Sequence, residues 1–376
     1  MCNIKINILF VLIQVHQGGT ERVVIDLIKS LDKSKFNSYL AYFEEGELVR
    51  EFSSICKETF HITKRRGLDP TAMLSLSRII KHYAIDVINA QHYMPFFYSF
   101  LGSKILNYRK LIYVEHSVPE VQEILKSKHR RIFGLLLRHT DAVVGISKEI
   151  GDTLQLSYPE FASKFQVILN GVDVDHFTQP VDRDKLRSLW GISSKHFVIG
   201  TVANFRKVKN HACLIRALNQ LKVTEPNVRV MLVGQGFRGD QASSERELVD
   251  LINKYGLQER VIMTGYQNDV ARLLKAFDVF CLPSFSEGLP VSILEAMAAG
   301  IPVVGSDVKG IHEVISQDRT GLLFPSDDEC ALALVLEELI GDGVRRDRLA
   351  RQAFQYVKHT HGIKQWVSAY ETLFTC

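Results

Sequence analysis

Short apolar segments alternate with helical patterns along almost the whole chain, and few folds accommodate such an alternation. Ile6–Ile13 is an apolar strand candidate, and the apolar residues of Thr20–Leu31 recur at helical spacing. Further strand candidates follow, with helical stretches between most of them: Tyr39–Phe43, Asp86–Ala90, Leu111–Glu115, Ala142–Ile146 and Phe165–Leu169. Because apolar strands that alternate with helices are typical of parallel sheets, we predict a parallel sheet covered by helices on both faces.

The pattern pauses between Asn170 and Lys195, where Gly171, Pro180 and Gly191 lie among many charged residues. It then resumes with a second series of apolar segments: His196–Ala203, Val228–Val233, Arg260–Thr264, Asp278–Leu282 and Pro302–Val304. A chain of 376 residues is long enough for about two domains. The break therefore predicts two α/β domains.

The first domain is predicted to span 1–175 and the second 195–360, with a cleft between them. The last helix, about 361–376, carries the apolar residues Trp366, Tyr370, Leu373 and Phe374. These apolar residues would allow the helix to pack back on the first domain, but the sequence alone does not decide this.

Composition and targeting signals exclude several classes of protein. The formal net charge is only +4, which by itself does not indicate a partner made of nucleic acid. The six cysteines are scattered without a CxxC pair, which argues against a disulfide framework or a zinc site. The N-terminal apolar segment lacks a signal-peptide cleavage site, and no segment has the roughly 20 apolar residues that span a bilayer. We therefore expect a cytoplasmic protein.

The segment Asp278–Gly305 carries the most specific chemical signal. An apolar strand ends at Leu282, a polar loop with Gly288 follows, and Pro290 stands where a helix begins. Free N–H groups at a helix start favour an anion such as a phosphate. A glycine in this loop allows a ligand to approach the backbone closely. The segment therefore predicts an anion-binding loop.

Two carboxylates, Glu287 and Glu295, accompany this loop. A carboxylate near a phosphate site is unfavourable unless it binds neutral hydroxyls. Its oxygens can accept hydrogen bonds from a ribose diol, each contributing about 1.5–3 kcal/mol. The alternative is that both residues are solvated acids that suit the helix dipole. The surrounding glycine and proline favour the ligand-binding interpretation.

Three other strand ends carry candidate site residues. Arg206 and Lys209 follow the strand His196–Ala203, and positive charge there would suit an anionic ligand. Gly18 and Gly19 follow the first strand and allow close backbone approach. His116 ends a further strand. The alternatives are a solvated basic loop, a plain tight turn and a structural histidine, respectively.

These segments together resemble the retaining glycosyltransferases of family 4, which have the GT-B fold of two facing Rossmann-like domains. Ser284–Val304, SFSEGLPVSILEAMAAGIPVV, is similar to the family's E-x7-E segment. Asn170–Asp173 matches its NGVD motif, and Lys209 with the following asparagine matches its Lys-Asn pair. The chain departs from the family at Asn204, the usual arginine position, and Arg206 follows two residues later. The resemblance covers nearly the whole chain.

The resemblance implies a role for each candidate. Glu287 lies beside the transferred sugar and His116 lines the reaction centre, so both are expected to be catalytic. The other positions are expected to bind the donor: Gly18, Gly19, Arg206, Lys209, Gly288, Leu289 and Glu295. The implied reaction moves a sugar from a UDP- or GDP-sugar to an acceptor hydroxyl with retention of configuration.

Two further motifs resemble cofactor sites of other folds. Gly234–Gly239 spells GxGxxG, but the next predicted strand ends at Thr264 without the acid that a dinucleotide site requires. Asp173 and Asp175 spell DxD, a metal motif of another glycosyltransferase fold, yet no His/Cys cluster accompanies them. We therefore predict neither a bound metal nor another cofactor.

The resemblance suggests a saccharide acceptor. The best candidate is a lipid-linked saccharide used in the synthesis of bacterial surface polysaccharide. The basic, partly apolar stretch 126–139 would suit contact with an anionic membrane, so peripheral binding at the inner face of the cytoplasmic membrane is expected. An ordinary amphipathic surface helix is the alternative. Gln91, His92 and Tyr93 are plausible acceptor contacts.

Two other functions remain open at this point. One is a non-catalytic partner subunit that keeps the nucleotide-sugar site, although Glu287, Glu295 and Lys209 are all present. The other is an NAD-dependent oxidoreductase that uses the GxGxxG sequence, although the strand-end acid is missing.

Overall fold

A computed structural model of the protein describes residues 5–103, 110–236 and 241–375, with side chains from 244 onward in the last range. The described chain divides into two compact units. The first consists of the residues up to Gly171 together with those from Ile363 onward, and the second runs from Val172 to Gly362. Each unit is built around one parallel sheet, as predicted.

The first unit contains a seven-stranded sheet. Its strands are β1 (Ile6–Gln14), β2 (Phe36–Glu44), β3 (Glu58–His61), β4 (Val87–Gln91), β5 (Lys110–Glu115), β6 (Ala142–Gly145) and β7 (Phe165–Val167). They pair in parallel in the order β3-β2-β1-β4-β5-β6-β7. The middle of β1 and all of β4 are buried, because helices cover both faces of the sheet.

Seven helices connect these strands. They are α1 (Gly19–Ser30), α2 (Val49–Ile55), α3 (Pro70–His82), α4 (Tyr93–Ser103), α5 (Val118–Lys126), α6 (His129–Arg138) and α7 (Lys148–Ser157). A 3-10 helix, Pro159–Lys164, precedes β7. Helices α3, α5 and α7 begin with side-chain caps from Asp69, Ser117 and Ser147, which supply acceptors for otherwise unpaired backbone N–H groups.

The second unit contains a six-stranded sheet. Its strands are β8 (Phe197–Val202), β9 (Val228–Val233), β10 (Val261–Gly265), β11 (Val279–Leu282), β12 (Val303–Ser306) and β13 (Leu322–Phe324). The order is β10-β9-β8-β11-β12-β13, again with parallel pairing. In both sheets the chain builds outward on one side of its first strand and then crosses to the other side.

The helices of the second unit are α8 (Val174–Phe177), α9 (Arg183–Ser188), α10 (His211–Leu221), α11 (Gln241–Tyr255), α12 (Val270–Leu274), α13 (Val291–Ala298), α14 (Lys309–His312), α15 (Glu329–Gly341) and α16 (Gly343–Thr360). A 3-10 turn, Lys207–Lys209, precedes α10. Residues 176–194, which lie between the two domains predicted from the sequence, belong to this unit. Arg183 and Arg187 contact the Asp278 carboxylate at 2.8 and 2.6 Å.

The last helix, α17 (Ile363–Thr375), belongs to the first unit although α16 belongs to the second. The Phe374 ring packs edge-on against Phe10 at 6.2 Å and Phe36 at 6.1 Å between centroids. Gly171 lies against the Trp366 side chain, where a Cβ atom would have no room. The glycine of the NGVD motif therefore allows α17 to pack closely on this unit.

Two sequence-level expectations concern membranes and disulfides. In the three ranges that the structure describes, none of the helices combines the length and apolar character needed to cross a bilayer. Cys56, Cys213, Cys281 and Cys330 are free thiols. Cys2 and Cys376 lie outside the described residues.

Candidate functional site

Ligands of open parallel sheets bind beyond the carboxyl ends of the strands, where the strand order reverses. In the second unit the order reverses between β8 and β11, and the loops after these strands carry Arg206, Lys209 and Glu287. In the first unit it reverses between β1 and β4, and Gly18 and Gly19 follow β1. The predicted site residues thus form two groups, one in each unit.

Lys209 and Glu287 form a close ion pair in the second unit. The Lys209 ammonium donates to both Glu287 carboxylate oxygens, at 2.7 and 2.8 Å. Only 8% of the Glu287 side chain and 22% of the Lys209 side chain are exposed, so water screens the pair less than it would at the surface. An ammonium has three N–H donors, so one more acceptor can be bound there.

Neighbouring loops hold the Glu287 carboxylate in place. The Ser284 hydroxyl donates to the same carboxylate at 2.5 Å. The backbone N–H of Phe285 donates to the Val208 carbonyl at 2.8 Å, which ties this loop to the 3-10 turn that carries Lys209. The Ser306 hydroxyl, at the end of β12, donates to the Ser284 carbonyl. The carboxylate and the ammonium are therefore positioned by three adjacent strand-end segments.

Gly310, in α14, packs directly on the backbone of the Glu287 loop. A Cβ atom on Gly310 would lie 2.9 Å from the Gly288 carbonyl oxygen and closer still to the Glu287 carbonyl oxygen. The glycine therefore permits an approach that any side chain would prevent. Sequence reasoning missed this residue.

The other predicted residues of the second unit belong to the two chain segments that carry this pair, β8–α10 and β11–α13. Gly288 and the buried Leu289 lead into α13, which begins after Pro290 as predicted. Glu295 lies on α13 and is partly exposed. Arg206 is exposed at the start of the 3-10 turn, where its carbonyl accepts from the Lys209 N–H at 2.9 Å.

The turn after Lys209 has a left-handed residue that the sequence analysis did not identify. Asn210 has φ of +49° and stands at the start of α10, a conformation that asparagine tolerates better than most residues. Its side chain donates to Asp327 at 3.1 Å. His211 follows and is buried against Phe205. Burial, reinforced by the nearby Lys209 charge, lowers the pKa of His211 to about 3.

In the first unit, the glycine turn carries a buried carboxylate. Gly18 has an extended backbone and precedes α1, and a Cβ atom there would collide with the Glu21 carboxylate. Burial raises the pKa of Glu21, and a hydrogen bond from its own backbone N–H partly offsets this effect. A side chain at position 18 would therefore displace the buried Glu21 carboxylate.

His116 lies in a network at the ends of β4 and β5. Its Nε2 is 2.6 Å from the Gln91 amide oxygen, and its backbone N–H donates to the Glu115 carboxylate at 2.7 Å. The His92 ring lies 5.0 Å away, between centroids. Burial and the charge of His92 hold the pKa of His116 well below its usual range. Gln91 and His92 thus contact a predicted catalytic residue.

One group of side chains in the described part of the chain has the spacing of a metal site. Ligand atoms of His92, Glu115 and Glu120 lie within 4.8 Å of one another. The Glu115 carboxylate, however, already accepts from the Tyr113 hydroxyl and from the N–H groups of His116 and Ser117. His92 supplies the compensating positive charge, so the group is accounted for as an ion-pair network.

The two cofactor-like motifs have structural explanations. In a Rossmann fold the phosphate-binding turn follows the first strand, which is β8 in this unit, whereas Gly234 and Gly236 follow β9. Gly234 instead has φ of +149° and packs on the Ala203 backbone. Residues 237–240, and with them Gly239, lie outside the described residues. In the DxD sequence, the Asp173 side chain caps α8 by accepting from the His176 N–H at 3.2 Å.

Two parallel α/β sheets, each with site residues where the strand order reverses, are the architecture of GT-B glycosyltransferases. Comparison of the sequence with models of protein families supports the same class. The model described as Glycosyltransferase Family 4 matches residues 17–176, and that described as Glycosyl transferases group 1 matches 182–356. The chain therefore belongs to the glycosyltransferases of the family 4 type.

Individual relatives cover most of the chain. N-acetyl-alpha-D-glucosaminyl L-malate synthase of Bacillus anthracis is 26% identical over 86% of this chain and 83% of its own length. N-acetylgalactosamine-N,N'-diacetylbacillosaminyl-diphospho-undecaprenol 4-alpha-N-acetylgalactosaminyltransferase of Campylobacter jejuni is 25% identical over 89% of this chain and 90% of its own length. The crystal structure of HepE from Anabaena, in complex with UDP and glucose, shares the fold with a TM-score of 0.85 at 24% identity, covering 98% of this chain and 99% of that one.

Proposed function

We propose that this glycosyltransferase moves a sugar from a UDP- or GDP-sugar to an acceptor hydroxyl with retention of configuration. The observation that carries the proposal is the Lys209–Glu287 pair beside the start of α13. Negative charge grows on the diphosphate as the glycosidic bond breaks, and a fixed ammonium stabilises that charge. A helix start with free N–H groups adds to the same effect.

In this proposal Glu287 and Glu295 have different tasks. Glu287 is held by Lys209 and Ser284 and is close enough to the ammonium to orient a sugar whose diphosphate the ammonium binds. Glu295, on α13, accepts hydrogen bonds from the nucleotide ribose. In the first unit, His116 is proposed to be catalytic, and Gly18 and Gly19 are proposed to bind the donor. The cationic side chains Lys209 and Arg206 take the role that a metal ion has in other glycosyltransferases, so the reaction is expected to proceed in EDTA.

Ligand-induced thermal stabilisation with UDP, GDP, ADP and NAD tests the donor site. A ligand at 100 times its dissociation constant stabilises a folded protein by about 2.7 kcal/mol. We expect stabilisation by one nucleoside diphosphate, weakened in Glu295→Ala. Glu287→Ala should still bind the nucleotide but transfer sugar about 10²–10³ times more slowly, as expected for loss of a preorganised polar group at a reaction centre.

The matched control is the exposed pair Lys207–Glu247, whose side chains are each 61% exposed. Lys207→Met and Glu247→Ala should leave nucleotide binding and transfer unchanged, because a surface pair contributes little. Stabilisation by NAD alone would contradict the proposal and favour an oxidoreductase. Nucleotide binding without any turnover would favour a non-catalytic partner subunit.

For the acceptor, the proposal is a lipid-linked saccharide reached at an anionic membrane surface. The Campylobacter jejuni relative is named for a diphospho-undecaprenol substrate. In this chain α6 buries Phe133, Leu136 and Leu137, whereas Ile132 and Leu135 are exposed. The exposed cations around them are Lys126, Lys128, Arg130, Arg131 and Arg138. Apolar side chains among cations are typical of surfaces that bind anionic lipid.

Co-sedimentation with phosphatidylglycerol vesicles tests this surface. The double variant Ile132→Ser, Leu135→Ser should bind such vesicles less than the parent protein, and neither should bind phosphatidylcholine vesicles. Leu156→Ser is the matched control, because Leu156 is an exposed leucine on α7. Equal binding by the parent and the double variant would contradict the assignment of this surface.

A further inference from the structure

His92 links the end of β4 to β5 and α1 in the first unit. It stands directly after β4 with φ of +68°, a backbone conformation that few non-glycine residues adopt. Its backbone N–H donates to the Val114 carbonyl at 2.9 Å, which fixes the loop against β5. Its side-chain Nε2 lies 3.1 Å from the Thr20 hydroxyl in α1. Strained residues of this kind cluster at functional sites.

The other ring nitrogen of His92 faces two carboxylates. Nδ1 lies 2.9 Å from Glu120 of α5 and 3.3 Å from Glu115 of β5. Burial alone would lower the pKa of His92, but the two carboxylates outweigh this effect and raise it to about 10. Glu21 of α1 also interacts with the His92 charge. His92 is therefore a buried cation among carboxylates from three elements.

This cation lies beside His116, whose orientation is set by Gln91. The Gln91 amide nitrogen donates to the Asn89 side chain, so its amide oxygen faces His116 Nε2. His116 Nε2 must then carry the hydrogen, and Nδ1 is left as the nitrogen with a lone pair. Glu115, which contacts His92, also accepts the backbone N–H groups of His116 and Ser117.

We propose that His92 is a positioning residue that, together with Gln91, holds His116 as the neutral Nε2–H tautomer in a fixed orientation. The inference rests on the proposed role of His116 in the transfer reaction. The consequence is a ring that offers Nδ1 as a hydrogen-bond acceptor to a substrate hydroxyl throughout the neutral pH range. The groups that face His92 are Glu21 on α1, Glu115 on β5, Glu120 on α5 and the His116 ring.

Nitrogen NMR of protein labelled with 15N-histidine tests the proposal without an activity assay. Chemical shifts of the two ring nitrogens distinguish the cation and both neutral tautomers, and His116→Gln assigns the His116 signals. We expect the neutral Nε2–H form of His116 from pH 5.5 to 8.5 in the parent protein. In His92→Asn, which suits the left-handed backbone, loss of the neighbouring positive charge should raise the pKa of His116 toward its ordinary value, while burial continues to lower it.

Transfer kinetics supply the second measurement. Because the pKa of His116 rises in His92→Asn, a larger fraction of the ring is protonated at acid pH, so the acid limb of the kcat profile should lie at higher pH than in the parent protein. Gln91→Glu provides a second variant with His92 intact. A carboxylate facing His116 Nε2 should raise the pKa of His116 and shift the acid limb of the profile in the same direction.

His82→Asn is the control, because His82 is an exposed histidine at the end of α3 in the same unit. It should leave the His116 signals and the pH profile unchanged. The proposal fails if His116 titrates identically in the parent, His92→Asn and Gln91→Glu proteins. If the variants change the His116 titration but the parent protein transfers no sugar, the positioning network is supported and the proposed reaction is contradicted.

Discussion

A single glycine sets how closely α14 approaches the Glu287 loop. In Gly310→Ala the new methyl group would meet the carbonyl oxygens of Glu287 and Gly288, and backbone atoms cannot move aside as a flexible side chain can. Overpacking of this kind costs about 1–3 kcal/mol. We expect a lower free energy of unfolding in urea and a transfer rate lowered up to about 10²-fold, because the carboxylate would be displaced.

Gly341→Ala is the matched substitution for this test. Gly341 ends α15, and an added Cβ atom there would meet no other atom within 4 Å. We expect unchanged activity and stability that is equal or slightly higher, since alanine restricts the unfolded chain. If Gly310→Ala matched Gly341→Ala in both measurements, the close packing of α14 on the Glu287 loop would not matter for the site.

The sequence motifs identify Lys209 and Glu287 as site residues, but they do not show which residues hold these side chains in position. The sequence shows that Lys209 and Glu287 follow two apolar strands, and parallel topology places such strand ends at one edge of a sheet. Gly310 and Ser284 are common residue types whose roles arise only from contacts with other loops. The same holds for Gln91. Tertiary contacts of this kind leave no local pattern, so the sequence did not predict these roles, and Gln91 was expected to contact the acceptor instead.

A buried histidine at the start of α10 contributes to the loss of stability in acid. His211 is buried there, and burial lowers its pKa from 6.5 to about 3. The helix N-terminus further disfavours a cation. Below pH 6.5 the unfolded chain binds a proton that the folded protein does not bind. The folded protein therefore loses stability as the pH falls from about 6.5 to about 3, by up to a few kcal/mol at about 1.4 kcal/mol per pKa unit.

Replacement of His211 should remove this part of the acid sensitivity. His211→Phe keeps an aromatic ring against Phe205 and has no titratable group. Urea unfolding at pH 7 and pH 5 should therefore show a smaller loss of stability for His211→Phe than for the parent protein. His359→Phe, at an exposed position of α16, should behave as the parent does. An unchanged pH dependence in His211→Phe would rule out His211 as its source.

Secondary structure was most predictable where a segment is long or fully buried. The central strands β1, β4, β8 and β11 were all anticipated because helices cover both faces and their sequences are mostly apolar. The edge strand β3 was not, because its sequence ETFH has a single apolar residue, and the three-residue edge strand β13 was also missed. Helices α8 and α9 were also missed, because their short segments lie among charges and breakers.

Across the whole chain, the unit boundary and the C-terminus are linked through α17. The chain enters the second unit at Val172 and leaves it at Gly362, and these two residues pair with each other. Residues at the end of the sequence thereby complete the core of the first unit. The sequence alone left this open, because amphipathicity shows that a helix packs and does not show on what.

Phe374→Ala should therefore destabilise the first unit selectively. Phe374 is buried against Phe10 and Phe36, and truncation of a buried phenylalanine costs about 3–5 kcal/mol. The protein has two tryptophans, Trp366 in the first unit and Trp190 in the second. In a Trp190→Phe background, the urea transition reported by Trp366 fluorescence should move to lower urea when Phe374→Ala is added.

The second unit supplies the control for this measurement. In a Trp366→Phe background only Trp190 reports, and Phe374→Ala should leave its transition unchanged, because the packing contacts of Phe374 lie in the first unit. Leu334→Ala, at an exposed position of α15, should shift neither transition. Equal shifts for both tryptophans would mean that the units unfold as one cooperative body. In that case the C-terminal helix would stabilise the site residues of both units.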